Sequence, residues 1–345
     1  MFDRLIGNGR ARDVLRRMLE QRRVPGALIF AGEEGTGKRL FALELAKALN
    51  CRTPRGVEAC DACSACVRIA RFAAAPPAGT ESDGHIIWSE HQDVGLVRPV
   101  KRFIKVDQAR AVEREMNFRP YEGAARVLLI EEADKLNDES GNALLKTLEE
   151  MPPTGHLVLL TARPASLLPT IRSRCQVVRF APLAAAEIEE YLVKHKRRAG
   201  AEARLAAQLA QGRLGRALAL NLDDYRRQRD AMLAVLEALA LRPDRVQLLR
   251  AAEELSDAKR KDDYEPSLDA LELLIHDAWR LALDPRAPIV NEDTRDRLTK
   301  LSAGVTNRRF AAWLARIEEL RTQLAVNVNR RIATDALFLS MAEGA

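Results

Sequence analysis

Aromatic residues are scarce in this chain: 3 Trp, 4 Tyr and 9 Phe make up 5% of its 345 residues. Set beside 47% hydrophobic residues, that scarcity points to an Ala/Leu/Arg-rich, helical, soluble protein. Long apolar runs are missing as well. None approaches the roughly 18 residues needed to span a bilayer, and the opening Met1-Phe2-Asp3-Arg4 reads as neither a signal nor a transit peptide, so a cytoplasmic location is expected. Cysteines number five, an odd count with four of them bunched, which argues against a disulfide framework and for metal binding in a reducing compartment. The formal charge of +6 and the pI near 9.2 favour an anionic partner such as nucleic acid, though many soluble proteins share that balance. At about 100–200 residues per domain, the length suggests two or three domains.

What is present starts with Gly32-Glu33-Glu34-Gly35-Thr36-Gly37-Lys38-Arg39. It follows the apolar run Ala27-Leu28-Ile29-Phe30 and precedes a helical pattern of Leu40, Leu43, Ala46, Ala48 and Leu49. Strand, glycine-rich turn and helix thus occur in the order a phosphate-binding P-loop requires. Its glycines let backbone N–H groups curl around phosphate oxygens at a helix N-terminus, and Lys38 reaches the terminal phosphates. One position departs from the motif. An active NTPase places a Ser or Thr hydroxyl on Mg²⁺ where this chain has Arg39, a cation with no acceptor atom for a metal. The bland alternative is a glycine turn between strand and helix.

Cys51 and then Cys60-Asp61-Ala62-Cys63-Ser64-Ala65-Cys66 give the pattern C-x8-C-x2-C-x2-C. Two-residue spacers put thiolates on one small knuckle, and Cys51 at the end of the preceding helix closes a tetrahedral S₄ shell that suits a structural Zn²⁺. Free buried thiols are the alternative. Ala73 to Gly84 reads as a surface loop, and His85-Ile86-Ile87-Trp88 as a strand. His91 and Gln92 through Lys105 read as a basic connection, with His85 and His91 taken as surface or loop histidines. Asp107 is the expected cap of a helix opening at Val106.

Arg126-Val127-Leu128-Leu129-Ile130 has the continuous apolar character of a strand buried in a parallel sheet, and it runs into Glu131-Glu132-Ala133-Asp134. In P-loop ATPases the first acid here positions Mg²⁺ and the second orients the attacking water. Glu131 stands where Asp is usual; its extra methylene and Arg39 together argue against a well-ordered Mg²⁺ site. Asn142 to Glu150 forms a helix stopped by Pro152-Pro153. Leu157-Val158-Leu159-Leu160-Thr161 is another buried strand, delivering Thr161 to the edge of the sheet where ligands bind in such folds. After Leu168 to Cys175, Gln176 to Phe180 closes the sheet, and the alternation over residues 1–180 argues for a parallel α/β domain. Beyond Pro182 only helices remain, with breaks near Arg242-Pro243, Tyr264-Glu265-Pro266 and Asp284-Pro285. Trp279 and Trp313 fall on apolar faces and are expected in the core. Lys194 to Arg198 reads as a solvated helix end.

The glycine loop with a four-cysteine module after its helix, Asn142-Ala-Leu-Leu-Lys-Thr-Leu-Glu-Glu150, and Ser173-Arg174-Cys175 together resemble a bacterial clamp-loader subunit of the AAA+ class. The likeness is specific over residues 1–182 and continues through the helical remainder, where Asn327-Val328-Asn329-Arg330-Arg331 resembles the last helix of the family's oligomerising collar. The resemblance implies an α/β AAA+ P-loop core with its zinc module (residues 1–182, module 51–66), a helical lid (183–222) and an all-α collar (223–345). It assigns nucleotide contacts to Gly32, Gly35, Thr36, Gly37, Lys38 and Arg39, a degenerate acidic motif to Glu131 and Glu132, and a polar sensor to Thr161. Arg174 becomes a finger projecting into a neighbouring subunit's site, where a planar, permanently charged guanidinium suits phosphate oxygens. Gly215 stands where a motor subunit's lid supplies an arginine. Among clamp-loader subunits the chain resembles best the type whose own nucleotide site is degraded: a structural subunit of the polymerase holoenzyme, with weak or absent ATP hydrolysis of its own. Its implied partners are the gamma/tau and delta subunits, the sliding clamp and primer-template DNA. The alternatives are the gamma/tau ATPase motor and a zinc-containing nucleic-acid-binding module.

Overall fold

Ala27 to Ala31 carries no polar side chain, and in the computed structural model it forms a strand of which every residue is buried. The structure describes residues 2, 5–72, 86–100, 102–241, 244–257, 262–324 and 328–343. They fall into two compact units, Met1–Leu218 and Ala219–Ala345.

The first unit runs α1 (Gly9–Glu20), β1 (Ala27–Ala31), α2 (Lys38–Asn50), α3 (Ser64–Ile69), β2 (Ile87–Trp88), β3 (Val94–Val97), α4 (Val106–Met116), β4 (Arg126–Ile130), α5 (Asp138–Glu149), β5 (Gly155–Thr161), α6 (Pro169–Arg172), β6 (Gln176–Arg179), α7 (Ala185–Lys196), α8 (Gly200–Leu209) and α9 (Leu214–Ala219). The strand order is β2-β3-β4-β5-β1-β6. All neighbours are parallel except β2, which runs antiparallel to β3. In β1 Leu28 pairs with Val158 of β5 and Phe30 with Val178 of β6; between β4 and β5 Leu128 pairs with Leu157.

Both faces of this sheet are covered, which is why its strands read as unbroken apolar runs. Successive strand residues point to opposite faces. Leu28, Phe30, Val127, Leu129, Val158 and Leu160 pack with Leu15, Phe41 and Leu45, whereas Ile29, Leu128, Ile130, Leu157 and Leu159 pack with Val112, Met116, Leu144 and Ile171. Each fully buried Leu, Ile or Phe there contributes about 1.5–3 kcal/mol. Because β5 lies between β1 and β4, the loops after these three strands meet at one edge.

Three expectations for the first unit need correction. The connection after His91 contains β3, wholly buried and hydrogen-bonded alongside β4. It is a four-residue strand entered by Asp93, a fully buried carboxylate that accepts from the N–H groups of Tyr121, Glu122 and Gly123. His91 is no surface histidine: it is 1% exposed, and burial depresses its pKa. The N-cap of α4 is Lys105, whose N–H is taken by the Gln108 side chain, while Asp107 sits in the first turn. The Ala73 to Gly84 stretch, His85, Arg242-Pro243 and Asn327 lie outside the described residues.

The second unit is helical: α10 (Leu222–Ala240), α11 (Arg245–Leu255), α12 (Tyr264–Leu283), α13 (Arg295–Ser302), α14 (Asn307–Leu324) and α15 (Arg330–Ala342). Side-chain caps start three of them: Asn221, Asp244 and Asn329 each accept from two backbone N–H groups of the first turn, and such caps are worth about 1 kcal/mol each. Pro266 sits in the first turn of α12, where a missing N–H costs nothing. Trp313 is buried and donates to Met341 O at 2.9 Å. Trp279 is only half-buried, donating to Asn307 Oδ1 at 2.9 Å and stacking on Phe310. No helix among the described residues is long and apolar enough to cross a membrane.

Candidate nucleotide site and metal centre

The loop between β1 and α2 turns on two glycines with φ of 77° (Gly35) and 94° (Gly37), a region in which a Cβ is strained. Thr36, 2% exposed, closes the turn by donating to Glu33 O at 2.7 Å. Asn8 holds it from outside, donating to Thr36 O at 3.1 Å and accepting from the Ala181 N–H at 2.8 Å. Lys38 folds back on the loop, its Nζ donating to Gly32 O and to Glu33 O at 2.7 Å. Burial pulls the Lys38 pKa down against the opposing charges of Glu34, Asp134 and Glu33. The lysine is thus folded onto the loop by two of its backbone carbonyls.

Arg39, the residue in place of the metal-binding hydroxyl, lies with its Nε 3.1 Å from Glu131 Oε1. The other oxygen of Glu131 accepts from Arg98 Nε at 2.7 Å. The acid that would hold Mg²⁺ is therefore shared between two guanidiniums. A Mg²⁺ ion needs oxygen ligands at about 2.0–2.1 Å in octahedral array, one or two of them unpaired carboxylates, and Arg39 and the doubly paired Glu131 do not fit it. Glu132, with φ of 48°, also lines the site and pairs with Lys135. Asp134 takes the inward place: it accepts from Thr161 Oγ1 at 2.9 Å and from Arg163 Nε and Nη2 at 3.1 and 2.8 Å. Burial alone would push Asp134 up, but these donors outweigh it and hold the carboxyl below its usual range.

Above the loop is a cavity of about 360 Å³, within the size range of small-ligand sites. It is lined by Glu34 to Arg39 of the loop, by Glu131, Glu132, Asp134 and Thr161, and by Ile6, Leu183, Tyr191 and Leu214. The N-terminus of α9 closes over it. Gly215 N donates to Gly35 O at 3.3 Å, and a Cβ on Gly215 would sit 3.3 Å from Gly35 Cα, so close an approach leaves little room for an arginine stem at that position.

At the far end of α2 the four cysteines converge. The Sγ atoms of Cys51, Cys60, Cys63 and Cys66 lie within 4.8 Å of one another, with Cys51 to Cys63 at 3.9 Å and Cys60 to Cys66 at 4.0 Å. A Zn–S length of about 2.3 Å in a tetrahedron sets S···S edges near 3.8 Å, so the donor set fits such an ion. Cys60 N donates to Cys51 Sγ and Cys63 N to Cys60 Sγ, both at 3.2 Å. The Thr53 hydroxyl and the Ala62 and Cys63 N–H groups draw Cys60 down to about 5. The knuckle is tied to the helices beside it: Lys47 bridges Glu44 (2.8 Å) and Asp61 (3.0 Å), and Glu58 pairs with Arg16. Cys175, the remaining cysteine, is half-buried and pushed up to about 12 by burial.

Arg174 stands away from this cavity, just past α6. Its guanidinium donates to Thr170 O at 3.0 Å and pairs with Glu149 at the end of α5. At 35% side-chain exposure it is presented at the surface.

Two family models match the chain. That described as DNA polymerase III, delta subunit, covers residues 7–184, and that described as DNA polymerase III, delta subunit, C terminal, covers residues 226–342. The chain belongs to the DNA polymerase III delta-subunit family. DNA polymerase III subunit delta' of Bacillus subtilis is 28% identical over 97% of this chain and 96% of its own length. Its counterpart in Escherichia coli is 29% identical over 91% and 87%. The similarity extends to the E. coli subunit tau, 31% identical over 64% of this chain and 32% of that longer protein.

In this DNA polymerase III family member, the predicted residues Gly35 to Arg39, Glu131, Glu132 and Thr161 line one cavity, Gly32 lies next to it as the acceptor of Lys38, and the four cysteines form one cluster. Three residues that decide the chemistry escaped the sequence reading. Arg98 and Arg163 are ordinary surface arginines by composition, and Asp134 looked like the last of several acids. Their roles come from partners 33 and 29 positions away, a separation no local pattern encodes.

Proposed function

We propose that the chain is a structural and trans-activating subunit of the DNA polymerase III clamp loader, acting in the cytoplasm in loading the sliding clamp onto primed DNA. It works with the gamma/tau and delta subunits, the clamp and primer-template DNA. Residues 183–222 serve as the lid and 223–345 as the oligomerising collar, the zinc module is structural, and the chain hydrolyses little or no ATP itself. The observation that carries this reading is the Arg39–Glu131 pair: the residue that replaced the Mg²⁺-binding hydroxyl neutralises the acid that would have shared the ion. Gly215 against Gly35 supports it, since the lid brings backbone to the loop where a motor subunit brings an arginine. The same pair weighs against the gamma/tau motor reading.

Arg174 is the finger in this proposal. It is exposed, permanently charged and remote from the chain's own cavity, as a group acting on a neighbour must be. Such arginines contribute about 10³–10⁵ in rate in well-studied systems. Reconstitution with the motor subunits tests it: Arg174→Ala is expected to cut DNA-stimulated ATPase and clamp loading, whereas unchanged rates would remove the finger. Turnover of ~1 per second by the purified chain, abolished by Lys38→Ala, would make it a motor instead.

A further inference from the structure

The cavity keeps two of the three things a nucleotide site needs. Its loop has the glycine turns and the lysine, and its lining has an apolar part in Ile6, Leu183, Tyr191 and Leu214. The third, an acid at the end of β4 free to hold a divalent cation, is gone, and of the acids lining the cavity only Glu34, in the loop, forms no ion pair among the described residues. Glu131 has a guanidinium on each oxygen, Arg39 at 3.1 Å and Arg98 at 2.7 Å, Glu132 is paired with Lys135, and Asp134 accepts from Thr161 and Arg163. Arg39 is held from its other side as well, its guanidinium carbon 5.7 Å from the centre of the Phe72 ring.

A guanidinium so placed does for a polyphosphate part of what the ion does. It puts a fixed positive charge and N–H donors beside the loop, and it needs no dehydration and no carboxylate ligands. A dication entering the same space would have to displace Arg39 from Glu131 and then sit next to it. We propose that this cavity binds a nucleoside polyphosphate as the free anion, without a divalent cation, Arg39 serving as the built-in counter-charge. The site would then report nucleotide occupancy without being able to hydrolyse what it holds. This rests on reading the cavity as a nucleotide pocket within the proposed function.

Calorimetric titration of the purified chain with ADP, once in excess EDTA and once in Mg²⁺, tests it. The expected result is the same affinity in both, within about threefold, a difference of under about 0.7 kcal/mol. An affinity more than about threefold tighter in Mg²⁺ overturns the inference and leaves the pocket reading intact. No binding in either buffer overturns both. The double variant Arg39→Thr, Glu131→Asp, checked for native circular dichroism, restores a hydroxyl and a shorter acid. It is expected to become Mg²⁺-dependent by at least about tenfold, and a folded variant that stays indifferent to Mg²⁺ overturns the role given to Arg39.

Discussion

Thr161 Oγ1 donates to Asp134 Oδ1 at 2.9 Å and accepts from the Arg163 N–H at 3.0 Å. The threonine is 1% exposed and the Asp134 side chain 7%, so this small polar chain joins the end of β5 to the turn after β4 inside the protein. Replacing Thr161 with Val removes the hydroxyl without changing shape and leaves a buried carboxylate oxygen short of a donor. A cost of about 1–3 kcal/mol is expected. The pH dependence has a definite sign. Asp134 titrates below its unfolded value, so its contribution is complete above about pH 4 and is lost as pH falls through the lower, folded pKa. Without Thr161 the folded pKa moves up and the acid-sensitive contribution shrinks. Urea midpoints of wild type and Thr161→Val between neutral and acid pH measure both effects; a constant difference across that range would show that the hydroxyl does not tune Asp134.

The four-cysteine cluster gives a test by metal removal. The chain has five cysteines, and with a tetrahedral ion bound only Cys175 is outside the shell, half-buried and high in pKa. A thiol reagent under native conditions should therefore find almost nothing until a chelator is added, and then label Cys51, Cys60, Cys63 and Cys66. Because the knuckle is tied to α1 through Glu58–Arg16 and to α2 through Asp61–Lys47, removing the ion should also lower the melting temperature, and Cys63→Ser should reproduce the loss. Elemental analysis showing no stoichiometric zinc in protein purified without chelator would contradict the assignment.

The parts of this molecule that the sequence revealed are those encoded over a few adjacent residues. Leu28 to Phe30, Val127 to Ile130 and Leu157 to Leu160 are apolar on both faces because both faces are covered, and the cysteine spacing is itself the geometry of a knuckle. Strand β3 was missed because it is short and one of its four residues is Gly95, where a Cβ would come within 2.6 Å of Ile86 and 2.8 Å of Leu128. Close packing there demands the absence of a side chain, which a search for hydrophobic runs treats as an interruption. Arg39 is visible as a departure from a motif, but its partner is not, since Glu131 reaches it only when the sheet order β4-β5-β1 brings the end of β4 to the P-loop.

Arg174 poses the last question, because in the isolated chain it is not idle: Glu149 holds its guanidinium and Thr170 O accepts from it at 3.0 Å. If Arg174 acts on a neighbour's nucleotide, it has to exchange Glu149 for phosphate oxygens, and the carboxylate is a competitor for it. Both groups are well exposed, at 35% and 51%, so the pair is worth only about 0.2–1 kcal/mol. Removing the competitor by Glu149→Ala should therefore leave stability within about 0.5 kcal/mol of wild type and raise the stimulated ATPase of the reconstituted complex by about two- to fivefold. The double variant with Arg174→Ala should fall to the level of Arg174→Ala alone, since a competitor has no effect once its object is gone. A rate that drops with Glu149→Ala would reverse the assignment and make Glu149 the residue that aims Arg174, because a carboxylate that only competes cannot slow the reaction by leaving.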